Sequence, residues 1–101
     1  MGPWLLKKCP PLTYRDVHFL LTCLGFQKET KGRGTSHEQW RKTTPKKPYK
    51  VTVSPHNQPY TGLIIKSMAS QAGVSKKAFC SLADKRKCKD YQRGKIKIPH
   101  K

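Results

Sequence analysis

Acidic residues are scarce: five Asp and Glu stand against 22 Lys and Arg in 101 residues, a formal net charge of +17. That scarcity argues against a two-carboxylate hydrolase and an acid-ligated metal site. Asp16 is wanted for a helix cap, and Asp84 and Asp90 lie in a basic segment. No apolar run approaches the roughly 20 residues that cross a bilayer, so no membrane role is expected. Trp4-Leu5-Leu6 gives way at once to Lys7-Lys8, too short for a secretory signal, and Leu6 stands where a myristoylation site would carry Ser or Thr. No P-loop or G-x-G-x-x-G occurs, and Gly32-Arg33-Gly34 offers a turn only. Cys9, Cys23, Cys80 and Cys88 include no C-x-x-C pair, so no structural zinc site and no metal or cofactor is expected. With no secretory context the cysteines are expected as free thiols, Cys23 and Cys80 as small fillers near the core, in a cytoplasmic protein.

What is present is charge. The 35% hydrophobic content allows a thin core, which eight prolines and seven glycines cut into short elements. Eleven Lys and Arg fall in each half, so the charge is not confined to one tail. Self-repulsion at this charge opposes compaction, and a polyanion relieves it. Nucleic acid is the leading partner, ahead of an acidic protein and an anionic membrane surface.

Residues 1–12 form an extended lead-in that Pro10-Pro11 keeps out of a helix. Thr13 and Asp16 have capping-box spacing, with Leu12 and Val17 at staple positions. Val17, Leu20, Leu21 and Leu24 follow at i, i+3, i+4 and i+7, and Gly25 is a stop, which predicts a helix over 13–24. Phe26–Lys31 and Thr35–Lys42 read as strands around a glycine turn. In the second, Trp40 in the core puts Ser36 and Glu38 on its face, and His37, Gln39 and Arg41 on the opposite one. Tyr49–Val53 alternates cleanly and is the strongest strand. An antiparallel meander is expected, with the first two helices on one face. Helix two has the apolar set Leu63, Ile64, Ile65, Met68, Ala69 and Ala72, a possible cap at Thr61 and a stop at Gly73. Ser75 caps a shorter third helix carrying Phe79, Leu82 and Ala83. Residues 85–101, with eight cations and one acid, read as a mobile basic tail. Val17, Leu20, Leu21, Leu24, Trp40, Val51, Val53, Ile65 and Met68 are the expected core.

Histidine is the acid–base group left available. His18 falls on the flank of helix one as a surface residue, and His100 lies in the tail. His56 follows the third strand in Ser54-Pro55-His56-Asn57, where capping a loop is the plainer role. His37 is different, because a mid-strand histidine on a polar sheet face gains nothing by packing there. Lys31, Arg33, Arg41 and Lys42 flank it and can hold phosphates.

Over roughly residues 13–82 the chain resembles the HicA family, the small ribonuclease toxins of HicA–HicB pairs. Thr13-Tyr14-Arg15-Asp16-Val17 and Leu24-Gly25-Phe26 bracket helix one. Gly34-Thr35-Ser36-His37-Glu38-Gln39-Trp40 is similar to the family's Gly-Ser-His strand. Lys50-Val51-Thr52-Val53-Ser54-Pro55-His56 resembles its third strand and loop, and Ile65-Lys66-Ser67-Met68 with Gln71-Ala72-Gly73-Val74-Ser75 its last helix pair. The resemblance implies an α+β fold, a double-stranded-RNA-binding-like α-β-β-β-α sandwich with a short extra C-terminal helix. The lead-in 1–12 would precede a ribonuclease domain over 13–84, with a basic tail over 85–101. It further implies a toxin that cleaves mRNA without metal, His37 as general base, His56 as a possible second acid/base, and an HicB-like antitoxin as partner. Lys31, Arg33, Ser36, Arg41, Lys42 and Lys50 are the expected RNA contacts.

Two other classes stay open. Ala69-Ser70-Gln71-Ala72-Gly73-Val74-Ser75 also fits a helix-turn-helix, with Lys76-Lys77 opening a DNA-recognition helix. The same sheet and charges also suit an RNA-binding module without catalysis.

Overall fold

The computed structural model describes residues 9–29, 37–57 and 59–98. In chain order it contains α1 (Tyr14–Leu24), β1 (Gln27–Lys28), β2 (Glu38–Thr43), β3 (Pro48–Val53), a 3₁₀ turn (Pro55–Asn57), α2 (Gly62–Ala72), α3 (Lys76–Ser81) and α4 (Lys85–Gln92). The class is α+β, and the strands form one antiparallel sheet in the order β1-β2-β3.

The first helix starts where its cap residues dictate. The Asp16 N–H donates to Thr13 Oγ1 at 3.1 Å, and the Thr13 N–H donates to the Asp16 carboxylate at 2.9 Å. Such a cap stabilises a helix by about 1 kcal/mol. Gly25 ends it at φ 97°, a left-handed conformation that favours glycine. Leu12 and Val17 are both buried, and Leu12 pairs its backbone with Tyr60. The nine expected core residues are all buried, in a cluster that also takes in Leu12, Phe26, Tyr49, Tyr60, Phe79 and Leu82 among others.

α2 lies along the free edge of β3, where the Gln71 side-chain oxygen accepts from the Thr52 N–H at 2.9 Å. Gly73 closes α2 at φ 78°, and a Cβ there would run into the Tyr49 ring. Both conformation and space therefore demand glycine. Ser75 Oγ caps α3 by accepting from the Ala78 N–H at 3.1 Å. No described helix is long and apolar enough to cross a membrane.

Three expectations need correction. Leu63 and Ile64 do not join the core stripe of α2; they are 82% and 39% exposed. At ~100° per residue they stand about 170° and 90° from the direction shared by Ile65, Met68, Ala69 and Ala72. The cysteines are not free thiols among the described residues: Cys9 pairs with Cys80 and Cys23 with Cys88. Their Cα separations of 5.8 and 6.0 Å suit a disulfide, and sequence separations of 71 and 65 hid that proximity. Finally, residues 85–92 are not an unstructured tail. Asp84 caps α4 by accepting from the Arg86 N–H at 2.8 Å, and the helix packs on α1 through Cys88.

Candidate nucleic-acid interface and active site

The β2–β3 register decides which side chains share a face. Trp40 opposes Val51 and Glu38 opposes Val53, and that side of the sheet is the core side. Gln39 opposes Thr52 and Arg41 opposes Lys50 on the other side. The Thr52 hydroxyl donates to the Gln39 side-chain oxygen at 3.0 Å across that face. His37, immediately before β2, continues the odd-numbered row and is exposed.

Beside His37 a groove of about 260 Å³ opens between β3 and the start of α2. Thr52, Ser54 and Ser67 bring hydroxyls to it, while Leu63, Ile64 and Met68 give it apolar walls. Tyr60 also lines it, its hydroxyl donating to the Ser54 carbonyl at 2.7 Å. Burial, and then the Glu38 charge, push the Tyr60 phenol above its usual range.

The start of β2, which follows His37 directly, is pinned from the opposite side by Glu38. Its carboxylate accepts from the Tyr14 hydroxyl at 2.5 Å and the Trp40 indole N–H at 3.3 Å, and pairs with Lys28 at 3.2 Å. Burial alone would raise the Glu38 carboxyl; hydrogen bonds from Tyr14, Lys28 and Trp40 outweigh it and hold the group below its ordinary value. The same bond, with burial and the Glu38 charge behind it, pushes Tyr14 up to about 12. His18 is exposed and meets the Trp40 ring edge-on at 4.8 Å between centroids.

The expected RNA contacts divide. Arg41 and Lys50 are exposed cross-strand neighbours on the His37 face. Arg41 is also ion-paired with Glu29, which neutralises part of its charge. Lys42 points the other way: its side chain lies against Gly25 with the ammonium 6.0 Å from the Phe26 ring, and burial pulls its pKa down. Lys31, Arg33 and Ser36 lie outside the described residues, as does His100. His56 is exposed on the 3₁₀ turn and does not line the groove.

The groove and Glu38 are what sequence reading missed. Strand alternation already set Thr52 opposite to Val51 and Val53, but nothing linear brought Ser67 of α2 beside it. The arrangement offers an accessible imidazole, cations for phosphate oxygens, and a small hydroxyl-lined groove for a flat group. Among the described residues, no group of three His, Cys, Asp or Glu is placed to hold a metal ion. Comparison with family models, curated proteins and solved structures finds no match for this chain.

Proposed function

We propose that the protein is a toxin-type endoribonuclease that cleaves mRNA, with His37 as general base. The observation that carries this reading is the exposed His37 imidazole lining the groove, on the sheet face that Arg41 and Lys50 share two register pairs further along. His37 takes the proton of a ribose 2′-hydroxyl, and the 2′-oxygen attacks the adjacent phosphorus as the bond to the 5′-oxygen breaks. The products are a 2′,3′-cyclic phosphate and a 5′-hydroxyl, and the chemistry needs no metal. Arg41 and Lys50, further along the same face, hold the RNA backbone that flanks the cleaved phosphate. His56 is a candidate for returning a proton to the leaving oxygen.

The resemblance to HicA supplies the biological half of the proposal: a double-stranded-RNA-binding-like fold and a neutralising HicB-like antitoxin. An acidic partner surface would associate fast with a chain of charge +17. The cytoplasmic setting rests on the substrate alone. The two disulfides pull the other way, since a reducing compartment keeps thiols open.

A second reading, RNA binding without cleavage, is favoured by one observation: among the described residues, no second histidine lines the groove with His37. Cleavage of a labelled RNA by the wild type and by His37→Ala separates the two. Loss of cleavage with RNA affinity retained supports the catalytic reading; cleavage by neither protein supports the binding module.

A further inference from the structure

The C-terminal helix carries a feature that the sheet does not account for. Within Lys85–Gln92 four cations accompany one acid, and only Cys88 is buried. At ~100° per residue, Lys85, Arg86, Lys89 and the C-cap residue Arg93 fall within an arc of about 100°. Cys88 and the half-buried Tyr91 stand about 115° and 175° from the centre of that arc. The helix therefore docks by one side and turns a row of cations outward, all four exposed.

The row is costly where it stands. Lys85, Lys89 and Arg93 follow at four-residue spacing, and like charges so placed repel by about 0.2–0.5 kcal/mol per pair. Among the described residues, ion pairs join Lys28 to Glu38 and Arg41 to Glu29, and neither uses an α4 cation. Eight residues are also fewer than the roughly 12–15 that hold a helix alone in water. α4 is nevertheless fastened, to α1 by Cys23–Cys88, with the Asp84 side chain capping its start. A repulsive row kept in helical register by a covalent tie calls for a polyanion that spans several cations at once.

We infer that the outward face of α4 is a second RNA-binding surface, which grips phosphodiester backbone through Lys85, Arg86, Lys89 and Arg93 without reading bases. Its ligand class follows from the ribonuclease reading, but its affinity does not depend on cleavage. The test uses a fluorescent 2′-O-methyl RNA oligonucleotide, which binds and cannot be cut, with anisotropy followed across a salt series. Lys85, Arg86, Lys89 and Arg93 together changed to Ala should lower affinity at least tenfold at low salt. The slope of log affinity against log salt should shrink by about 3, at roughly 0.7 per lost phosphate contact. Alanine is the best helix former, so this variant keeps α4. Exchanging Lys for Arg and Arg for Lys at the same four positions should keep affinity within about twofold. Removing equal charge elsewhere, with Lys46, Lys47, Lys66 and Lys76 to Ala, should cost less than threefold. Equal losses in the two alanine variants, or an unchanged slope, would overturn the inference. So would polyglutamate competition against RNA by the wild type, unweakened in the α4 variant. If the α4 variant binds weakly while wild-type RNA cleavage is absent, the surface stands and the ribonuclease reading alone fails.

Discussion

Two regions of this small molecule present cations, and they are held in place by different means. On the open face of the sheet, Arg41 and Lys50 sit on strands whose reverse side buries Trp40, Tyr49, Val51 and Val53. On α4, a row of four cations rides on a helix that buries only Cys88. Strand pairing and core packing fix the first region; a cystine and a capping aspartate fix the second. On the proposed reading, the difference separates chemistry from capture. A general base must keep its geometry to a fraction of an ångström, and His37 directly precedes a packed strand. Backbone attraction tolerates looser placement, which a tethered helix supplies.

The largest effect expected of any single substitution is in cleavage. His37→Ala should lower the rate by at least about 10², the low end for a lost general base. The fold should be unaffected, because an exposed side chain leaves no cavity. RNA affinity should stay within a few-fold, since both cationic regions remain. A comparable loss of cleavage in the α4 alanine variant on a short RNA would erase the contrast, because capture and chemistry would then share one site. His56→Ala should be milder, and an inactive His56→Ala beside an active His37→Ala would reassign the base.

Next in size is stability. Cys23→Ser with Cys88→Ser should destabilise the protein by about 2–4 kcal/mol, read as a lower urea midpoint. Far-UV circular dichroism should show the loss of about one short helix, while the histidine-bearing sheet persists. A variant in which α4 survives intact would show that packing, not the covalent tie, holds it. Counting thiols in the denatured protein sharpens the same point: none should react before reduction and four after. Four reactive thiols in protein purified without reductant would remove the tether from the comparison.

The sheet was far more legible in the sequence than α4, for a physical reason. Local rules set Thr13 and Asp16 as a capping box, Gly25 and Gly73 as stops, and the alternation that turns His37 away from Trp40. Each needs residues within a few positions of one another. The groove needs Thr52 and Ser67 together, and the cystines need Cys9 and Cys23 beside partners 71 and 65 residues away. Those proximities are tertiary and leave no local trace. α4 was read as a tail because eight cations over residues 85–101 overwhelm any apolar stripe. A signal that could have found it is the Asp84 N-cap at the head of the segment, with Cys88 and Tyr91 outside the arc of Lys85, Arg86, Lys89 and Arg93. Glu38 was placed on the Trp40 side correctly, but its bond to Tyr14 of α1 depends on packing.

The smallest effect tests how firmly the sheet region is pinned. Tyr14→Phe removes the hydroxyl that donates to Glu38 and should cost about 1 kcal/mol at neutral pH. The loss should vary with pH in a defined direction. Folding raises the Tyr14 pKa from 10.0 to about 12, first through the hydrogen bond to Glu38 and then through burial. Its contribution is therefore complete below pH 10 and disappears as pH climbs through about 12. Glu38 behaves oppositely: its carboxyl is held below the ordinary value, so its contribution is present above the usual carboxylate range and fades as pH falls through the lowered one. Urea unfolding of wild type and Tyr14→Phe across pH should thus give a stability difference that is flat near neutrality and narrows at both extremes. Taking the difference between the two proteins cancels the titration of the other tyrosines and lysines. A difference that stays constant from pH 8 to pH 12 would mean that Tyr14 and Glu38 do not share a proton-donating bond in solution. The Glu38 carboxylate would then be held by Lys28 and the Trp40 indole.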